Sequence, residues 1–130
     1  MRTLTFLVLA IATLHAETGR DAWLRYAPLD ITDGKFPLPP SVVALDDSPI
    51  TTSARNELIR GVKGVSGRIL RIDARTSANA AIVLGTIAEL RTRYPLAAAP
   101  LKPEAFRIRT FGKDLVIAGA DPNGILYGTF

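Results

Sequence analysis

Two pairs of aspartates are the first residues in this chain whose type and spacing suggest chemistry. Asp46 and Asp47 are adjacent and run into Ser48-Pro49, and Asp30 and Asp33 flank a loop that ends on Gly34. Paired carboxylates can share general acid and general base work, or hold a cation. Neither pair has the setting for it. Adjacent side chains tend to point apart, and Asp-Asp-Ser-Pro reads as turn chemistry with no pocket around it. Asp30 and Asp33 lack the spacing of an EF-hand loop, so a surface turn is the better account of them.

The remaining catalytic vocabulary is narrow. The chain has no cysteine, and its single histidine is His15. His15 falls inside an amino-terminal stretch with the order of a secretory signal. Arg2 is followed by an apolar run over residues 4–14 (LTFLVLAIATL) and by the small residue Ala16. That run is too short to span a bilayer. Removing residues 1–16 leaves 114 residues over 17–130 with a net charge of +3, enough for one modest core. Without imidazole or thiol, a Ser-His-Asp triad, a Cys-His pair and a His- or Cys-ligated zinc are all excluded from that mature part. Export, to the periplasm or outside the cell, is the expectation, with no membrane attachment after cleavage.

Aromatic residues form the other candidate set. Trp23, Tyr26, Phe36, Tyr94 and Tyr127 could build a sugar-stacking platform, but large aromatics are usually buried, and packing explains each of them. Trp23 and Tyr26, three apart, can share one side of a helical turn. Tyr127 is expected in core or interdomain packing. The glycine-rich stretch 119–124 (GADPNG) lacks Gly-Lys-Ser/Thr and any dinucleotide spacing, so helix capping suffices for it. The basic residues are scattered without interleaved aromatics, which argues against nucleic acid. Residues 68–75 (RILRIDAR) read as a solvated face. No position is assigned a catalytic, cofactor-binding or metal-ligating role, and no cofactor is expected.

The elements that would carry these residues can be read from pattern. Residues 17–40 are irregular, with Asp21 placed to cap a short turn that Pro28 stops and a stiff KFPLPP over 35–40. Residues 42–45 (VVAL) read as a strand. The best helix covers 52–66, capped by Thr51, Thr52 or Ser53, with Ala54, Leu58, Val62 and Val65 on one face and Gly64 with Gly67 ending it. Residues 80–84 (AAIVL) form a buried strand. Thr86 and Glu89 have capping-box spacing for a second helix through Arg93. Phe106, Ile108 and Thr110 alternate with Arg107 and Arg109, a turn at Gly112-Lys113 follows, and residues 115–118 (LVIA) return as the partner strand. Asp121 and Pro122 then open a final helix. It runs out after two turns at Phe130 with no cap, as though the sequence were cut. The order strand, helix, strand, helix, hairpin, helix gives an α+β domain: a small mixed β-sheet with helices packed on one side.

Several of these segments carry a family resemblance. WLRY at 23–26, ARNELIRG at 54–61 behind its threonines, AIVLGT at 81–86, EAFRI at 104–108, LVIAGA at 115–120 and GILYG at 124–128 resemble the amino-terminal accessory domain of the α-glucuronidases of glycoside hydrolase family 67. The ending also resembles the amino-terminal domain of family 20 β-hexosaminidases, while WLRY favours the α-glucuronidases. In both families this domain resembles a metalloprotease-like α+β fold that has lost its active site, and it precedes a (β/α)₈ barrel.

The resemblance implies a non-catalytic domain of a secreted enzyme. That enzyme would remove α-1,2-linked (4-O-methyl)glucuronic acid from xylan-derived oligosaccharides. It would invert configuration, using an acid and a base carboxylate about 6.5–9.5 Å apart. Those carboxylates belong to the barrel, which needs roughly 200 residues or more, and none is carried over to this chain. The implied partners are the barrel of the same full-length chain, the xylo-oligosaccharide bound through it, and a second copy in a homodimer of the full-length enzyme. Two alternatives remain at this point: the accessory domain of another glycosidase, β-hexosaminidase-like, or a free-standing carbohydrate-interaction module.

Overall fold

The computed structural model describes residues 26–29, 37–74, 79–96 and 100–130. The expected signal segment, Trp23, Asp30, Asp33 and Phe36 lie outside the described residues. Five strands form one mixed sheet: β1 (Ser41–Ala44), β2 (Arg71–Ile72), β3 (Ala81–Thr86), β4 (Phe106–Phe111) and β5 (Asp114–Gly119). Their spatial order is β2-β1-β3-β5-β4. All neighbouring pairs are parallel except the β4–β5 hairpin, which is antiparallel. The α+β architecture expected from the sequence is therefore present.

Position in the sheet explains each strand's composition. β3 is central, and its apolar run AIVLG is buried throughout, as a strand covered on both faces requires. β4 is an edge, which is why Phe106 and Ile108 remain 44% and 47% exposed beside three polar neighbours. Gly112, at φ 59°, makes the tight turn that lets Phe111 pair with Asp114.

α1 (Pro49–Ser66) begins three residues earlier than the pattern suggested. Its cap is Ser48, whose hydroxyl accepts the Thr51 N–H, and Pro49 occupies the first turn, where its missing N–H costs nothing. The helix stops at Gly67, which is left-handed at φ 69° and donates its N–H to the Lys63 carbonyl. α2 (Ile87–Leu90) has the expected capping box from Thr86 and Glu89 but runs for one turn only. The N–H groups of Arg93 and Tyr94 both fold back to the Leu90 carbonyl. Pro95 pushes the residue before it out of helical geometry, so helix through Arg93 is not sustained. α3 (Pro122–Tyr127) starts where expected, capped by Asp121.

Two apolar clusters flank the sheet. On one face, Val42, Ile82, Leu84 and Ile117 pack with Ala54 and Leu70, joined by Leu58 and Val62 of α1 and by Ile125 of α3. On the other, Val43, Val83, Val116 and Ala118 pack with Leu90 and Tyr94. The two longer helices share one face, as expected. The second face is covered by the single turn of α2 and the segment that follows it. β2, which the sequence pattern did not reveal, is an edge strand of two exposed residues. It is held where Arg71 donates to the Pro40 carbonyl and Asp73 to that of Val42.

Candidate functional site

The adjacent aspartates divide their work in the way neighbours on a turn must. Asp46 turns inward: its carboxylate accepts the Ser48 N–H at 2.5 Å and the Thr51 hydroxyl at 2.7 Å. Burial raises its pKa, but the Ser48 N–H and the Thr51 and Ser48 side-chain bonds outweigh that and hold it below the ordinary carboxylate value. Asp47 turns out, with its side chain 95% exposed and Arg55 at 3.9 Å. Together they build the entrance to α1 rather than a pocket with two facing acids.

The aromatic residues do not converge. Tyr26 lies along α1, against Gly61 and Gly64. A Cβ on Gly64 would stand 2.6 Å from the Tyr26 Cβ, so the bare helix surface is what admits the ring. The Tyr26 hydroxyl donates to Glu57 Oε1 at 2.7 Å, and the Arg60 guanidinium stacks 5.1 Å from the ring centroid while bonding the same carboxylate. Glu57 is thereby 7% exposed yet satisfied. Tyr94 is on the opposite face of the sheet, buried. Its hydroxyl donates to Asp114 Oδ2 at 2.8 Å, and Asp114 Oδ1 accepts the Ala81 N–H at 3.1 Å. Burial, reinforced by the bond to the Asp114 carboxylate, raises the Tyr94 pKa to about 12. Tyr127 is 47% exposed on α3, so it is not a core residue. Among the described residues the three tyrosines form no shared platform.

Residues 119–124 act as a cap, as their sequence suggested. Asp121 accepts the Gly124 N–H through Oδ1 and the Glu104 N–H through Oδ2, each at 2.9 Å. Those two backbone bonds, Gly124 first, lower its pKa. Glu104, whose N–H makes the second of these bonds, sits in the left-handed region at φ 64°. Gly124 is glycine for a steric reason: a Cβ there would run into the Ala105 carbonyl.

Two arrangements escaped sequence reasoning. The Tyr26–Glu57–Arg60 cluster joins residues 31 apart, and its one local signal is Glu57 and Arg60 at helical spacing. The Asp114–Tyr94 clamp joins residues 20 apart and leaves no local trace beyond an acid at the start of an apolar strand. Of the surface hollows, one lies between α1 and α3, bordered by Asn56, Glu57, Arg60 and Phe130. Another lies between the Pro95–Leu96 segment and β4. No group of three or more metal-ligating side chains occurs among the described residues, and no helix there is long and apolar enough to cross a membrane.

Comparison with known proteins places this geometry in context. The family model described as Glycosyl hydrolase family 67 N-terminus matches residues 22–130. A protein of Aspergillus terreus named "Probable alpha-glucuronidase A" is 36% identical over 124 residues, 88% of this chain and 14% of that protein. An "Alpha-glucuronidase" of Hypocrea jecorina is 33% identical over 143 aligned residues, 100% of this chain and 17% of that protein. The chain thus spans 14% and 17% of the length of these curated relatives. A solved family GH115 4-O-methyl-α-glucuronidase, with specificity for decorated arabinogalactans, superposes with a TM-score of 0.56 at 27% identity over 69% of this chain and 12% of that one.

Proposed function

The chain belongs to the family described as the glycosyl hydrolase family 67 N-terminus, and from that premise we propose that it is the non-catalytic amino-terminal domain of an exported α-glucuronidase. The match over residues 22–130 carries the reading. The chemistry belongs to a catalytic barrel of the same full-length polypeptide. The enzyme hydrolyses α-1,2-linked (4-O-methyl)glucuronic acid from xylan-derived oligosaccharides with inversion. The internal engagement of four acids, Asp46, Glu57, Asp114 and Asp121, supports a non-catalytic role. Asp46 braces the Ser48 cap of α1, Asp121 caps α3, Asp114 clamps two strands to Tyr94, and Glu57 is tied to Tyr26 and Arg60. An inverting site needs one free acid and one free base across a bound sugar.

Exposed apolar side chains favour a partner domain. Phe106, Ile108, Tyr127 and Phe130 are 44–63% exposed on β4 and at the carboxyl end of α3. Apolar surface of this kind marks an interaction site. The likeness to the GH115 enzyme supports the uronic-acid side of the reading rather than the polymer, since that protein is specific for decorated arabinogalactans. Export rests on the charged, apolar, small-residue order of residues 1–16.

Two measurements test the reading. The 130-residue chain incubated with aldouronic oligosaccharides releases no glucuronic acid, whereas the product of the complete reading frame does; turnover by the short chain overturns the proposal. Mass spectrometry of exported protein finds an amino terminus at residue 17, and retention of residues 1–16 removes the signal-peptide assignment.

A further inference from the structure

The sheet face covered by α2 is left open along β4. A groove there lies between Pro95 and Leu96 on one side and Arg107, Arg109, Thr110 and Phe111 of the edge strand on the other. Arg107 and Arg109 are two apart on β4 and pair with Ala118 and Val116, whose side chains belong to the core of this face. Both guanidinium groups therefore emerge on the side that holds the groove. A third adjoins it: Arg93 lies 5.7 Å from the Tyr94 ring centroid, and that ring lies 5.3 Å from the ring of Phe111. Asp114, beside this aromatic pair, keeps its charge, but its oxygens are engaged by Ala81 and Tyr94, and it forms no ion pair with Arg93 or Arg109. Among the described residues, no carboxylate lies within salt-bridge distance of Arg93 or Arg109.

Charge decides which occupant fits. A second copy pairing antiparallel through β4 in the register centred on Ile108 would set Arg107 opposite Arg109, and like charges directly opposed destabilise a strand pair. A neutral sugar would use the apolar floor of Pro95, Leu96 and Phe111 but none of the charge. A sugar ring with a carboxylate uses both: its C–H faces lie on the floor, and its carboxylate accepts paired N–H donors from a guanidinium. We propose that the groove between residues 95–96 and β4 is a binding site for a uronate-bearing oligosaccharide. The choice of a uronate among anionic ligands rests on the function proposed above.

The test is an NMR titration of the full 130-residue chain that follows the arginine Nε–Hε signals. Three probes are compared: a 4-O-methylglucuronosyl xylotriose, xylotetraose and a polyglutamate peptide. The uronate probe shifts the Arg109 signal to saturation and weakens as salt is added, and xylotetraose leaves it in place. Arg109→Gln weakens the uronate by about tenfold, the loss expected for one charge-assisted bond. Arg109→Lys, which keeps the charge but not the fork, falls between the two. Equal binding of xylotetraose, unmoved arginine signals, undiminished affinity in both Arg109 variants, or binding of polyglutamate but not the uronate would each overturn the proposal. A full-length enzyme that releases glucuronic acid while the groove stays silent sinks the groove alone. A groove that binds while the full-length product shows no turnover sinks the enzyme reading instead.

Discussion

On one face of the sheet, α1 and α3 close an apolar cluster around Leu84, Ile82 and Ile117. On the other, four residues of helix and the turn that follows them must cover Val43, Val83 and Val116. One turn of helix buries too little to hold itself in place. On the second face a polar device ties the sheet itself to its cover: the Asp114 carboxylate joins the start of β3, the start of β5 and the Tyr94 hydroxyl at one point. Where helix length runs short, hydrogen bonds fix the cover, and a buried network of this kind is valuable only while every member is satisfied.

Leu84→Ala is expected to have the largest effect, about 4 kcal/mol in urea unfolding, because it opens a cavity beneath two helices that cannot follow it inward. Leu90→Ala, on the single turn of α2, should cost about 3 kcal/mol, since that turn can settle into the space. Equal costs, or the reverse order, would show that the two covers are equally rigid and break the contrast. Asp114→Ala comes next at about 2 kcal/mol, with the Ala81 N–H and the Tyr94 hydroxyl both losing their acceptor. Amide exchange at Ala81 should quicken together with loss of protection across residues 87–96, and a slowly exchanging Ala81 would remove the clamp from the account.

Tyr94→Phe should cost about 1 kcal/mol near neutrality, and pH sharpens it. The folded-state pKa of Tyr94, about 12, lies above its ordinary value of 10.0, so the folded form favours the neutral phenol. Its stabilising share is whole below pH 10 and is lost as pH rises through 12. Thermal melts of the parent chain should fall across that window, and those of Tyr94→Phe should fall less. Identical alkaline profiles would mean that Tyr94 titrates as an ordinary phenol.

Much of the architecture was legible because it was written in local signals. Thr86 with Glu89, Asp121 with Pro122, and Gly112 in the hairpin each fix a backbone choice within four residues of chain. The start of α1 was misplaced because four hydroxyl residues compete for one cap, and Asp46, which settles the matter in favour of Ser48, acts from outside the helix. β2 was missed because two residues have no period to detect. Asp114–Tyr94 and Tyr26–Glu57 were invisible for another reason: sequence pattern reports which face a residue takes and says nothing about which distant group meets it there. The groove beside β4 shows both conditions. The alternation that places Arg107 and Arg109 on one face was plain, but the neighbouring wall at Pro95 and Leu96 comes from a turn whose path the pattern did not determine.

The seat that Gly64 makes for Tyr26 couples two positions 38 residues apart in the numbering. Neither can drift alone: a methyl at 64 evicts the ring, and a small residue at 26 leaves α1 with a bare trough and Glu57 with one partner fewer. Across related sequences, bulk at the first site and its absence at the second should be inherited as a pair, so that paralogues fall into two groups with few intermediates.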